Sequence, residues 1–480
     1  MMVKDQRGPT SGTRANSASP TASARVLTPG RATAAGAGLV LALAAAAPMG
    51  AGVTTAAQFS TTATVRPASV GHVLAASHVS PTPTSVCESE LGIACYGPTQ
   101  LRSAYDTAPL YAAGITGKGR TILIVDSFGS PTIQHDLDVF DAQYGIPNTK
   151  VEIVKYGNVP AFDPTNPDQV GWAQETSLDV EYSHAMAPGA HIILAETPVA
   201  ETEGVTGLPE MMNVEKELID QNRIDVVTQS FGATENTFPG VDQGNFSSIQ
   251  NLRYAYVAAL RHGTTVLASS GDDGVTNAEA DGATLYTYPV NSWPSSDPLV
   301  TSVGGTQLNL NDNGVRLSPD VVWNDGYGAG GGGLSQVFGR PFYQVGVRGI
   351  VGNHRGTPDI SMSAAVDGGV WVYYSFVGPT SPWHIFGGTS EASPLFSGVV
   401  ALADQAAGHR LGLLNPALYF DGALSRFLGT RTGLVDVTSG DNSFGGVTGY
   451  PALTGYDLAS GWGTVDAAKF VRALAPRTRW

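Results

Sequence analysis

At 480 residues, with a formal charge of −15, 14% charged residues and 59 glycines, the chain is long enough for a large α/β unit. That acidic, lysine-poor balance excludes a nucleic-acid partner. Cys87 and Cys95 are the only cysteines; two thiols without neighbouring histidines do not make a zinc site, and a single local disulfide is expected.

The chain starts basic and rich in small residues. Lys4, Arg7, Arg14, Arg25 and Arg31 stand against Asp5, and residues 32–57 then run without a charge through Leu39-Val40-Leu41-Ala42-Leu43. A basic start, a short apolar centre and the small residues Thr55-Ala56-Ala57 predict a secretory leader over 1–57 and a secreted, extracellular product. Left uncleaved, the same stretch would be a membrane anchor; otherwise no stable membrane association is expected. Residues 58–95 read as an extended linker or arm, and the folded body is expected over 96–480.

A short helix is expected from Pro98. Apolar runs of buried-strand type follow at 121–126, 151–156, 190–195, 225–230, 264–269 and 299–303. Helical patterns lie between several of them, at 134–144, 170–186, 208–221 and 246–262. The alternation predicts an α/β fold, with a mainly parallel central sheet and helices on both faces. In such sheets reactive groups gather beyond the carboxyl ends of strands. Those ends read Asp126-Ser127-Phe128-Gly129, Ser230-Phe231-Gly232 and Ser269-Ser270-Gly271-Asp272-Asp273-Gly274. The glycine run 330–333 reads as a flexible surface loop.

One stretch organises the rest: Gly387-Gly388-Thr389-Ser390-Glu391-Ala392-Ser393-Pro394, followed by an apolar helix pattern. Ser390 thus falls at a helix start, where unpaired N–H groups and the helix dipole favour negative charge beside its hydroxyl. It is either a simple N-cap or a nucleophile. A nucleophile needs a base. His262, in His262-Gly263-Thr264, ends a helix pattern more than 130 residues past Asp126, a poor position for a subtilisin-type base. Glu175 and Asp179 stand four apart on one helix face. They are either a solvated face or a partly buried pair that shares a proton, leaving one member able to take the Ser390 proton in acid.

Glu-x-x-x-Asp before Ala187-Pro188-Gly189-Ala190, the Ser-Phe-Gly and Ser-Ser-Gly-Asp strand ends, and Gly-Thr-Ser-x-x-x-Pro occur in that order. Together they resemble the sedolisins, or serine-carboxyl peptidases, from about Tyr96 to Ala473. The resemblance implies a subtilisin-like three-layer fold and a Ser-Glu-Asp triad acting on protein or peptide substrates at acidic pH. It implies Ser390 as nucleophile, Glu175 as general base and later acid, Asp179 as the group that orients Glu175, and Asp272 as the oxyanion-hole acid, with Asp273 its competitor. It also implies one calcium ion, held by the carboxylates of Asp436 and Asp457, the carbonyls of Val437, Leu453 and Gly455, and water. A monomer is expected.

Three departures accompany the resemblance. Leu453 stands where the family has glycine, and Glu391 where a small residue is usual; its acid side chain would either disturb the oxyanion site or bind a substrate amine. Fewer than 40 residues separate the expected leader from Cys95, where the family carries a long prodomain; activation is then handled differently, or folding needs no such domain. Two rival readings are a histidine-dependent subtilisin relative and a catalytically silent surface-binding domain.

Overall fold

The computed structural model describes residues 70–72, 79–378 and 382–475, all within the compact unit Ser60–Trp480. The expected leader over 1–57 lies outside them.

The central sheet is built from β1 (Thr121–Ser127), β2 (Glu152–Lys155), β3 (His191–Thr197), β4 (Val226–Gln229), β5 (Thr265–Ser269), β6 (Thr301–Gln307), β7 (Val321–Val322) and β8 (Ile360–Ser363). Strands β2, β3, β1, β4, β5 and β6 lie side by side and parallel. Strand β8 joins β6 in parallel, and the short β7 joins it antiparallel. The strand order reverses at β1, which places a crevice at its carboxyl end, just past Asp126.

Both sheet faces are covered because successive side chains on a strand point opposite ways. Ile122, Ile124, Val226 and Leu267 enter one core, which is shared with α1 (Pro167–Met186) and α4 (Thr389–Ala407). Leu123, Val125, Val227 and Val266 enter the other, shared with α2 (Leu208–Asp220) and α3 (Tyr254–His262). The three layers agree with the expected α/β architecture.

Four local expectations need correction. The supposed extended arm contains a helix, Thr84–Leu91, between the short strands Val70–His72 and Cys95–Tyr96. The Cys87–Cys95 disulfide closes that helix onto the strand Cys95–Tyr96. The 246–262 pattern is two helices, Ser247–Gln250 and α3. Strand β8 and the hairpin Gly369–Tyr373/Trp383–Gly387, which delivers the chain to Ser390, add to the expected strands.

The fourth correction matters most to the site. The glycines 330–333 are buried, and a Cβ on Gly331 would fall 2.1 Å from the Ser270 carbonyl oxygen. Gly331 N–H instead donates to Gly271 O at 2.7 Å. The run is glycine because two backbones meet there without room for side chains. It forms a packed wall behind the β5 end.

Candidate active site

Helix α1 starts where Asn166 Oδ1 accepts from Asp168 N and Gln169 N, with Pro167 at the first position. From Glu175 to Met186 every residue is buried. The solvated-face reading of Glu175 and Asp179 therefore fails; both are fully enclosed.

Helix α4 starts after Gly388, whose φ of 115° makes the sharp entry that a side chain would resist. Pro394, inside the helix, has no N–H to give the carbonyl of Ser390 four residues back. Ser393 Oγ and Thr228 Oγ1 lie 2.8 Å apart, so the start of α4 sits against β4 near its carboxyl end.

Helices α1 and α4 pack closely. Ser183 Oγ and Ser397 Oγ are 3.1 Å apart, and a Cβ on Gly398 would lie 2.4 Å from Met186 Cβ. Counting back from that contact at 1.5 Å per residue, Glu175 lies about 12 Å up α1 and Ser390 about 10.5 Å up α4. The acid and the hydroxyl thus belong to the same end of the helix pair.

Asp179 is fixed by Ser230 Oγ, which donates to its Oδ1 at 2.8 Å. Burial pushes its carboxyl well above the ordinary range, and the fields of Asp126 and Glu175 add to this. Asp126, at the β1 end and facing Thr176, is raised to about 7 by burial, with Glu196 adding to it. Only the histidine-dependent reading had assigned Asp126 a role. Its position at the carboxyl end of a buried strand is the signal that marks it.

Asp272 leaves the β5 end and meets the start of α4. Its Oδ1 accepts from Thr389 N at 2.7 Å and Thr389 Oγ1 at 2.8 Å, while Thr389 Oγ1 accepts from Gly271 N at 3.0 Å. The residue is half-buried, but its Oδ2 is shut off from solvent without a partner. Burial holds this carboxyl well above the usual range, with Asp273 and Glu175 raising it further. When protonated, it can donate from one oxygen while the other is held. Asp273, half-buried, makes no hydrogen bond to the α4 start among those described. Thr389, unassigned by sequence, is the residue that anchors Asp272 beside Ser390.

His262 is elsewhere. Its ring pairs with Asp220 at 3.3 Å, and its carbonyl accepts from Arg410 Nη1 at 3.3 Å, beyond the far end of α4. A 19-residue helix is about 28 Å long, so His262 and Ser390 stand at opposite ends.

Glu391 does not face the crevice. Its side chain is fully buried towards Tyr105, Tyr182 and the hydroxyl of Ser363. Burial holds it well above the usual range, and, enclosed in the core, it neither blocks an oxyanion nor receives an amine. Both expectations for it are overturned.

The C-terminal oxygen-rich loop is clamped by the strand pair Leu434–Val435 and Thr464–Val465. Gly455 N donates to Asp436 Oδ2 at 2.9 Å, and Leu453 N to Asp457 Oδ2 at 2.8 Å. Asp457 Oδ1 accepts from Ala459 N and from Ser460 N and Oγ. Gly455 takes a φ of 84°, whereas Leu453 has no positive φ and holds its side chain half-exposed. Leucine in place of glycine is therefore tolerated. Two carboxylates and neighbouring backbone in one tight loop suit a hard cation.

The subtilase family model matches residues 169–418, more than half of the chain. Kumamolisin of Bacillus sp. (strain MN-32) is 30% identical over 393 residues, covering 79% of this chain and 64% of that protein. Sedolisin of Pseudomonas sp. (strain 101) is 32% identical over 385 residues, covering 78% and 60%. The chain thus spans less than two thirds of the length of these relatives. The solved structure of Pseudomonas sedolisin, a serine-carboxyl proteinase complexed with two molecules of pseudo-iodotyrostatin, superposes with a TM-score of 0.66 at 28% identity, covering 80% of this chain and 99% of that one. The three-layer fold, the motif order and these matches lead to one conclusion: the chain belongs to the subtilase family, on its sedolisin branch.

Proposed function

We propose that the protein is a secreted serine-type endopeptidase that works in acid through Ser390, Glu175, Asp179 and Asp272. The observation that carries this reading is the enclosure of Glu175 and Asp179 on α1 at the same end of the helix pair as Ser390, with Asp272 hydrogen-bonded to Thr389 beside it. Ser390 Oγ attacks the scissile carbonyl carbon and its proton passes to Glu175. The carbonyl oxygen becomes an oxyanion that accepts hydrogen bonds from protonated Asp272 and from N–H groups at the α4 start. On collapse Glu175 returns the proton to the departing amine, leaving an acyl-enzyme, which water hydrolyses by the same route. Asp179 shares a proton with Glu175 and so keeps it able to act as a base where imidazole would be protonated.

The loop at Asp436, Val437, Leu453, Gly455 and Asp457 would hold one calcium ion, its charge balancing two carboxylates and fixing the loop. Protein or peptide substrates follow from the peptidase relatives. No helix among the described residues is long and apolar enough to cross a membrane.

The test is a pH–rate profile on a denatured protein substrate. The expected profile is greatest in acid, at about pH 4, and falls towards neutrality as the carboxyl protons on which the site depends are lost. A maximum near neutrality would favour the histidine-dependent reading instead, and no cleavage at any pH the silent binding domain.

A further inference from the structure

An aromatic series meets α1 at Gln174, one residue before Glu175, and has no part in the chemistry above. Tyr374 and His384 stack face to face at 4.0 Å with rings 3° from parallel. Phe376 stacks on Tyr374 at 4.8 Å, and Phe162 meets Phe376 edge-on at 5.4 Å. The series is tied to the site at two points. Gln174, next to Glu175 on α1, donates from Nε2 to Tyr374 Oη at 3.0 Å. His384 lies on the strand Trp383–Gly387, six residues before Ser390, on the strand that delivers the nucleophile. Phe162, Phe376, His384 and Gln174 are all half-buried, so ring surface remains open to a ligand beside the base.

The proposed chemistry divides the crevice. The oxyanion donor Asp272 must lie by the carbonyl oxygen, and Glu175 must reach the nitrogen of the departing amine. Groups beside Glu175 on the side of Gln174 and Tyr374 therefore face the leaving half of the substrate. We propose that this aromatic series is the specificity surface for the residues that follow the scissile bond, and that it takes large apolar or aromatic side chains there. Stacked and edge-on ring contacts reward an aromatic partner beyond simple burial. The inference rests on the peptidase reading.

The test uses internally quenched peptides identical except at the first two positions after the cleaved bond, varied through Phe, Leu, Ala, Lys and Asp. The expected kcat/KM for Phe exceeds that for Ala by about tenfold or more. Phe376→Ala should lower this Phe-to-Ala ratio by about tenfold through KM, and Phe376→Leu should restore part of it. The ratio is internal to each preparation, so a variant that merely folds poorly leaves it unchanged; an unchanged ratio overturns the proposal. Cleavage indifferent to these positions in the unaltered protein overturns it as well and leaves the peptidase reading standing. Failure to cleave any peptide overturns both.

Discussion

Glu391 shows how one side chain ties stability to acidity. A fully buried carboxyl next to Ser390, with no cation to pair it among the described residues, is favoured in its protonated form. Its folded pKa is raised above its ordinary 4.5, so the folded state binds the proton more tightly than the unfolded chain does. The stability this contributes is complete below about 4.5 and is lost as pH rises through the folded value. Asp126, raised to about 7, and Glu215, raised to about 8, act in the same direction. We therefore expect the melting temperature to fall between about pH 4 and pH 8, and Glu391→Gln, neutral at every pH, to fall less, by about 2 °C or more at pH 8. Melting curves across that range check this; equal losses in the two proteins would contradict it.

At the scale of elements, the site exists because helix ends and strand ends meet. Helix α1 supplies Glu175 and Asp179, α4 supplies Ser390, and the β5 end supplies Asp272, with Thr389 as the link between the last two. The loop between Asp436 and Asp457 is a second such device, closed by the strand pair at its base and resting on the segment after Asp272, where Asn442 O accepts from Val275 N at 2.9 Å. Calcium should raise the melting temperature by about 3 °C or more over a chelator-treated sample, and Asp457→Ala should abolish the rise. The absence of a calcium shift in the unaltered protein would remove the site.

For the whole molecule, the parts of the sequence that could be read were those with local periodicity. The six strand runs and the α1 pattern announce themselves because burial on both faces demands continuous apolar residues, and each was found within a few positions of its observed bounds. What stayed hidden depends on distant partners. Strand β8 needs β6 beside it, and the glycines 330–333 look loose until the Ser270 carbonyl is placed against them. Glu391 looks dangerous until its rotamer is seen to face the core. Asp272 was legible as a strand-end acid, but Thr389, its holder, carries no signal short of the fold.

That fold sets His262, the histidine of the rival triad, at the far end of α4 from Ser390, the helix being about 28 Å long. The central claim is therefore that a carboxylate on α1 takes the Ser390 proton. Comparing Glu175→Ala with His262→Ala for cleavage in acid tests it most directly. The account predicts a loss of about a thousandfold or more for Glu175→Ala, matched by Ser390→Ala, and near-normal rates for His262→Ala. Retained cleavage in Glu175→Ala, or its abolition in a folded His262→Ala, would contradict it.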